Sequence, residues 1–145
     1  MEAKEDLPRR SNRFLTLEVV DWTGPIVEIS FDRPINSTAD AAAAVREASL
    51  FMRTQVAPRS SSAFFITCYD GLSVTREPLS ELQQRFIEFN EKFSVGDVRY
   101  GGSHFAKTFV VATSIQSASR SNHYESRDEA LAALREKIRA AEGGR

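Results

Sequence analysis

Alternating apolar and polar residues predict a β-hairpin at the start of the folded chain. Residues 14–22 alternate as a strand does, and residues 26–31 repeat the pattern after the turn signal Thr23-Gly24-Pro25. Two alternating runs on either side of a short turn that contains glycine are typical of paired antiparallel strands. Residues 1–13 are polar and charged, and we expect them to form a flexible tail ahead of the hairpin.

An apolar run at residues 63–69, Ala-Phe-Phe-Ile-Thr-Cys-Tyr, is the centre of the pattern. It has the length and residue types of a strand that is buried on both faces of a sheet. Asp70-Gly71 ends the run, and a polar loop leads to a helix predicted over residues 78–93. An apolar stripe runs along this helix, with Ile87 beside it, at Leu79, Leu82, Phe86, Phe89 and Phe93. We interpret the stripe as facing the core, although the same pattern suits a pocket wall or a partner groove.

Two further helices have recognisable starts. Ser37, followed three residues later by Asp40, favours a helix start ahead of residues 39–56. Ser126 and Glu129 form a full capping box before the closing helix, which the glycines at 143–144 end. The sequence therefore predicts one helix before the central strand and one at the end of the chain.

The segment between the central helix and the capping box is less regular. Residues 95–100 predict a short strand that two glycines break, and residues 122–125 predict a very short edge strand. Residues 105–117 suit either a helix or a strand. We predict a helix because Ser103 can cap it and because parallel strands need a crossover connection. The valine and threonine content of the segment argues for a strand.

Composition narrows the class of protein. The chain has 145 residues, of which 41% are hydrophobic and 27% charged, as in one ordinary globular domain. A net charge of -1 gives no overall field that favours nucleic acid or an anionic membrane. Cys68 is the single cysteine, and no apolar run approaches the ~20 residues that cross a bilayer. We expect a cytoplasmic protein without a cofactor, with one domain over residues 14–141 and a flexible end at 142–145.

The order of elements predicts an α/β fold with a mixed, mostly parallel sheet and flanking helices. Two local features accompany that order. The central strand ends at Asp70 ahead of a Gly-Leu-Ser loop and a helix, and residues 122–134 read Asn-His-Tyr-Glu-Ser-Arg-Asp-Glu-Ala-Leu-Ala-Ala-Leu. Together these features resemble the STAS domain, and in particular its SpoIIAA-like group, over about residues 14–141.

The resemblance implies a STAS-like fold and a non-catalytic signalling domain that binds another protein, as the anti-sigma factor antagonists do. Phosphorylatable members carry Asp-Ser-[Ser/Thr]-Gly after the central strand, and this tetrad is missing here. Its loss argues against regulation by a partner kinase of that kind and suits a divergent domain used for protein interaction.

The candidate phosphorylation or partner-binding residues follow two predicted parallel strands. They are Asp70, Ser73, Thr75 and Ser80 after the first strand, and Arg99, Ser103 and His104 at the end of the second. The carboxyl ends of parallel strands share one edge of a sheet, so both loops can contribute to one surface with the exposed side of helix 78–93. A phosphate beside the helix N-terminus would gain roughly 0.3–1 kcal/mol from the helix dipole.

Simpler interpretations of these residues remain open. In these interpretations, Thr75 or a neighbour only caps the helix and Asp70 only forms an Asx-turn. The two glycines after Arg99 then only form a tight turn. An alternative function is a small-molecule or anion site, with hydrolase or transferase activity, that uses Asp70, Arg99, Ser103 and His104. Such a site needs these groups to converge in a concave, partly apolar pocket, whereas an interaction domain needs only an exposed surface.

The remaining candidate chemistry is weak. His104 and His123 are the two histidines, and neither has the spacing of a zinc site. We therefore expect that this chain is not an enzyme. We expect it to bind another protein, such as a regulator or a kinase. A homodimer formed through the apolar hairpin or through the last helix is a further hypothesis.

Overall fold

The computed structural model describes residues 7–102 and 123–143. In this part of the chain, six strands form one sheet in chain order, from β1 to β6. They are Arg9–Ser11 (β1), Leu15–Asp21 (β2), Ile26–Phe31 (β3), Ala63–Cys68 (β4), Ser94–Tyr100 (β5) and His123–Tyr124 (β6). Strands β1 to β3 are antiparallel neighbours, and β3 to β6 are parallel. The predicted hairpin and the mixed, mostly parallel sheet are confirmed.

Within the same residues, three α-helices flank the sheet. They are Thr38–Phe51 (α1), Arg76–Phe93 (α2) and Arg127–Gly143 (α3), and a π-helix, Met52–Val56, continues α1. Helices α1 and α2 pack together over one face, while α3 contacts β4, β5 and β6 on the other face. The helix or strand predicted over residues 105–117 lies outside the described residues.

Strand β4 is buried on both faces because its alternate side chains enter two different cores. Phe65 belongs to the larger core under α1 and α2, whereas Ile66 belongs to the smaller core under α3. The predicted stripe of α2 faces the larger core, where the rings of Phe65 and Phe89 lie 5.2 Å apart. The interpretation of that stripe as a core face is confirmed.

Two of the predicted helix starts have the expected hydrogen bonds. The N–H of Asp40 donates to the Ser37 hydroxyl at 3.0 Å, and the N–H of Glu129 donates to the Ser126 hydroxyl at 3.2 Å. Helix α2 differs, because it begins at Arg76, ahead of the predicted start at Pro78. Proline is tolerated in the first turn, where its missing N–H has no intrahelical partner to lose.

Regular secondary structure extends into both ends of the chain that we predicted to be flexible. Residues 9–11 form β1, which pairs with β2, and the Pro8 carbonyl accepts the N–H of Val19 at 2.8 Å. The prediction failed because an edge strand can be exposed on all sides and therefore needs no apolar alternation. At the other end, α3 continues through Gly143, into the predicted flexible segment 142–145.

Gly71 provides a sharp test of this packing. A Cβ built at Gly71 would lie 2.0 Å from the carbonyl oxygen of Phe31, which belongs to the main chain and cannot rotate away. We expect Gly71→Ala to lower the free energy of unfolding by about 1–3 kcal/mol in urea denaturation.

Gly96→Ala is the matched control, because a Cβ there would meet ring atoms of Phe64 at 3.0 Å, and a side chain can shift. The control should lose less stability than Gly71→Ala. Equal losses would contradict the close approach of the two main-chain segments.

Candidate functional site

The loops that follow β4 and β5 meet at the carboxyl edge of the sheet. The N–H of Gly102 donates to the Asp70 carboxylate at 2.8 Å, and the N–H of Tyr69 donates to the carbonyl of Tyr100 at 3.1 Å. Gly101 and Gly102 have φ values of 74° and 85°, which favour glycine. Asp70 therefore joins the two predicted loops through its side chain, and the glycine dihedrals expected after Arg99 are confirmed.

The β4–α2 loop, residues 70–75, is held by its main chain. The N–H of Leu72 donates to the Tyr69 carbonyl at 3.0 Å, and the N–H of Ile35 donates to the Ser73 carbonyl at 2.7 Å. Ile35 also forms a parallel bridge with Val74. The segment that precedes α1 therefore fixes the loop from one side, while Gly102 fixes it from the other.

Side chains in the β4–α2 loop alternate between the core and the surface. Leu72 and Val74 are buried, whereas Ser73 and Thr75 are exposed. Thr75 occupies the N-cap position of α2, but its side chain makes no capping hydrogen bond, so the capping role considered for its hydroxyl is wrong. The hydroxyls therefore face outward from an anchored main chain.

Ser80 belongs to a different environment. It is exposed but lies inside α2, beyond the first turn that begins at Arg76. The field of the helix dipole is concentrated at the helix terminus, so the electrostatic argument for a phosphate applies to Thr75 and not to Ser80. Ser103 and His104 lie outside the described residues.

Arg99 does not reach the carboxyl-edge surface, which corrects our prediction. Its side chain is 4% exposed and forms an ion pair with Asp97 at 2.7 Å, underneath α2. Alternate residues of a strand point to opposite faces, so Asp97 and Arg99 face α2 while Val98 faces the core under α3. Asp70 is exposed at the sheet edge, and the structure does not bring Arg99 and Asp70 together.

A small polar cavity lies beside this buried ion pair. It has a volume of about 20 Å³, enough for roughly one water molecule. Its walls are Ile29, Phe31, Thr67, Tyr69, Phe86, Asn90, Asp97 and Arg99. The space is too small for a substrate. The spacing of Asp97 and Arg99 along the predicted strand 95–100 was the sequence signal for this cluster, and the prediction missed it because it placed the Arg99 side chain at the exposed end of that strand.

Tyr69 of this cluster gives a pH prediction. Burial raises its pKa from 10.0 to about 12, against the opposing effect of Arg99. The folded state therefore holds a proton that the unfolded state releases, and stability should fall as pH rises from about 10 to about 12.

Urea unfolding of the wild-type protein and of Tyr69→Phe across that pH range measures the effect. The stability of the wild type relative to the variant should decline as pH rises. A difference that stays constant through the range would contradict the raised pKa.

A second polar network lies on the α3 face. The hydroxyl of Tyr100 donates to Glu28 Oε2 at 2.6 Å, and Arg127 Nε donates to Glu28 Oε1 at 3.0 Å. Burial raises the pKa of the adjacent Cys68 thiol, which disfavours its thiolate form. The donors on the Glu28 carboxylate tie β3, β5 and α3 together, so the network has a structural role.

Tyr100→Phe should remove one hydrogen bond to a half-buried carboxylate. We expect the free energy of unfolding to fall by about 1.5–3 kcal/mol. Arg139→Ala is the contrast, because it breaks an exposed ion pair with Glu136 and should cost about 0–1 kcal/mol. Chemical denaturation of both variants measures the two losses, and a larger loss for Arg139→Ala would refute the structural role of the network.

Metal and membrane features are not found in the described part of the chain. Residues 7–102 and 123–143 contain no cluster of three or more histidine, cysteine, aspartate or glutamate side chains placed to hold a metal ion. No helix in those ranges combines the length and apolar character needed to cross a membrane.

Comparison with known proteins identifies the fold. No family model matches the sequence, and no curated protein matches it. The structure is similar to the crystal structure of a protein of the DUF3478 family from Shewanella loihica PV-4, which has a SpoIIAA-like fold. The TM-score is 0.56 and the sequence identity 8%, over 92% of this chain and 98% of that chain.

The chain therefore has a divergent SpoIIAA-like fold, and both the predicted fold class and the predicted resemblance are confirmed. At this identity the likeness concerns the fold and carries no activity or partner from one protein to the other.

Proposed function

We propose that the chain is a non-catalytic regulatory domain that binds another protein through the β4–α2 loop. The observation that carries the proposal is an anchored main chain that presents outward-facing hydroxyls. Ser73 is exposed, yet its own carbonyl accepts a hydrogen bond from Ile35 at 2.7 Å. A loop that is already ordered loses less conformational entropy when a partner binds.

The surroundings of the loop favour a recognition surface. Leu72 and Val74 are buried, so a partner would contact mainly the polar side chains between and beside them. Asp70 adds a carboxylate at the same edge, and Thr75 stands where α2 begins. A partner that contacts this edge would meet a negative charge, two hydroxyls and a helix N-terminus within a few residues.

The positions of Asp70 and Arg99 favour this proposal over the anion or enzyme site. That alternative relied on Arg99 as its cation, but the guanidinium is directed under α2 and paired with Asp97. The Asp70 carboxylate is directed at the loop after β5, where it accepts the N–H of Gly102. An interaction surface does not require these two side chains to converge.

Site-specific photo-crosslinking in the native cell tests the proposal. A photoreactive amino acid at position 73 should crosslink to a single dominant partner protein. The same amino acid at position 61 is the control, because Ser61 is also exposed but lies at the opposite end of β4. Thr75→Arg should reduce recovery of that partner by about tenfold, which corresponds to ~1.4 kcal/mol, while Ser61→Arg should leave recovery unchanged.

Two results would contradict the proposal that the partner binds the β4–α2 loop. One is recovery of the same proteins from positions 73 and 61. The other is a partner whose recovery is insensitive to Thr75→Arg although the variant protein has the same thermal stability as the wild type.

A further inference from the structure

The outer surface of the α1–α2 pair carries a groove with an apolar floor. The groove has a volume of about 220 Å³. Val45 of α1 and the rings of Phe89 and Phe93 of α2 form the floor. These residues lie in the later turns of both helices, away from the β4–α2 loop at the start of α2. The groove is therefore a separate surface, and an inference about it does not depend on the loop.

The rim of the groove is mostly cationic. Arg46 lies on the α1 side, Arg85 and Lys92 lie on the α2 side, and Glu88 is the one acidic residue that lines the groove. The whole chain has a net charge of -1, so this excess of positive charge is local. Arg85 pairs with Glu81 at 2.5 Å, whereas no acidic side chain of the described residues forms an ion pair with Arg46 or Lys92.

An exposed leucine follows a groove residue along α1. Leu50 is 47% exposed and follows Ser49, which lines the groove. Arg46 and Leu50 are four residues apart in α1 and so share one face of that helix, and Arg53 follows in the π-helix that continues it. Single large apolar side chains are commonly exposed on protein surfaces. Leu50 differs because arginines flank it in the sequence and it is close to an apolar groove, so it suits a ligand that carries both apolar and acidic groups.

We infer that the α1–α2 groove binds an acidic amphipathic helix of a partner protein. The apolar face of such a helix would cover Val45, Phe89 and Leu50, and its flanking carboxylates would face Arg46 and Lys92. Helices that lie in apolar grooves are recognised through anchors spaced by three and four residues, and charged rims set their preference.

Glu88 selects among anionic ligands. Its carboxylate is the one negative charge in an otherwise cationic rim, so a uniformly phosphate-rich surface such as nucleic acid or an anionic membrane would lose part of its attraction there. A peptide can place a neutral or basic residue opposite Glu88 and carboxylates elsewhere. The mixture of charges together with the apolar floor therefore favours a peptide.

Two synthetic peptides test this inference on the full chain. One is a helix of about 18 residues with leucines along one face and glutamates beside them, and the other has lysine at each glutamate position. Fluorescence anisotropy should show the acidic peptide binding at least about tenfold more tightly than the basic peptide, with the difference shrinking as salt is added.

A pair of matched variants locates the binding. The double variant Arg46→Glu/Lys92→Glu should weaken the acidic peptide by about tenfold or more and should now prefer the basic peptide. Lys137→Glu/Arg139→Glu makes the same change in charge on exposed positions of α3, over the other face of the sheet. This control should change the affinity by less than about twofold.

Nuclear magnetic resonance of the wild-type protein gives a test that needs no variant. The acidic peptide should shift the amide signals of residues 45–53 and 85–93 more than those of α3. Equal weakening by the two double variants, shifts centred on α3, or no binding of the acidic peptide would overturn the inference. The inference would also be overturned if the acidic peptide stays unbound while the protein binds anionic vesicles or DNA, or self-associates in light scattering. In that case Arg46→Glu/Lys92→Glu would abolish the observed binding or self-association.

Discussion

Strand β4 has to be covered on both faces, because the side chains on each of its faces are mostly apolar. Phe65 and Ile66 are neighbours in the chain, are each at most 1% exposed, and enter different cores. Burial of one such side chain is worth roughly 1.5–3 kcal/mol. Helices α1 and α2 cover one face and α3 covers the other, which meets this requirement. Any binding surface must then lie at the ends of the strands or on the outer sides of the helices.

The carboxyl end of β4 shows how that constraint shapes a surface. Beyond the buried strand, the chain is held by the loop after β5 through Asp70 and by the segment before α1 through Ile35. Anchors on both sides leave the main chain little freedom, while Ser73 and Thr75 still face outward. A loop held in this way is part of the fold.

Local sequence patterns predicted the elements well and the directions of polar side chains poorly. The apolar run of β4, the stripe of α2 and the serine caps at Ser37 and Ser126 are signals contained within one element. The direction of Arg99 depends instead on the alternation of β5, and the strand carries a register irregularity where it pairs with β4 near Phe64. We placed the Arg99 side chain on the surface at the end of a strand, and it is instead buried under α2.

Long-range polar contacts had no sequence signal at all. Glu28 meets Tyr100 and Arg127 across 72 and 99 residues, and neither spacing repeats in a pattern. The hydrogen bond between Ile35 and Ser73 likewise joins main-chain groups, which every residue type carries. Only the fold brings such groups together, so the hydrogen bonds that hold the β4–α2 loop could not be predicted from its residues. Arg99, Asp97 and Glu28 are engaged inside the packed layers, whereas Ser73 and Thr75 are exposed.

Amide hydrogen exchange of the isolated protein tests most directly whether the β4–α2 loop is formed before any partner binds. The informative N–H groups belong to Ile35, Leu72 and Gly102, which donate the bonds that hold the loop. We predict exchange slower than in an unstructured peptide by about a hundredfold or more, approaching the protection of β4. Exchange of these three amides at the rate of an unstructured peptide would contradict a pre-formed loop.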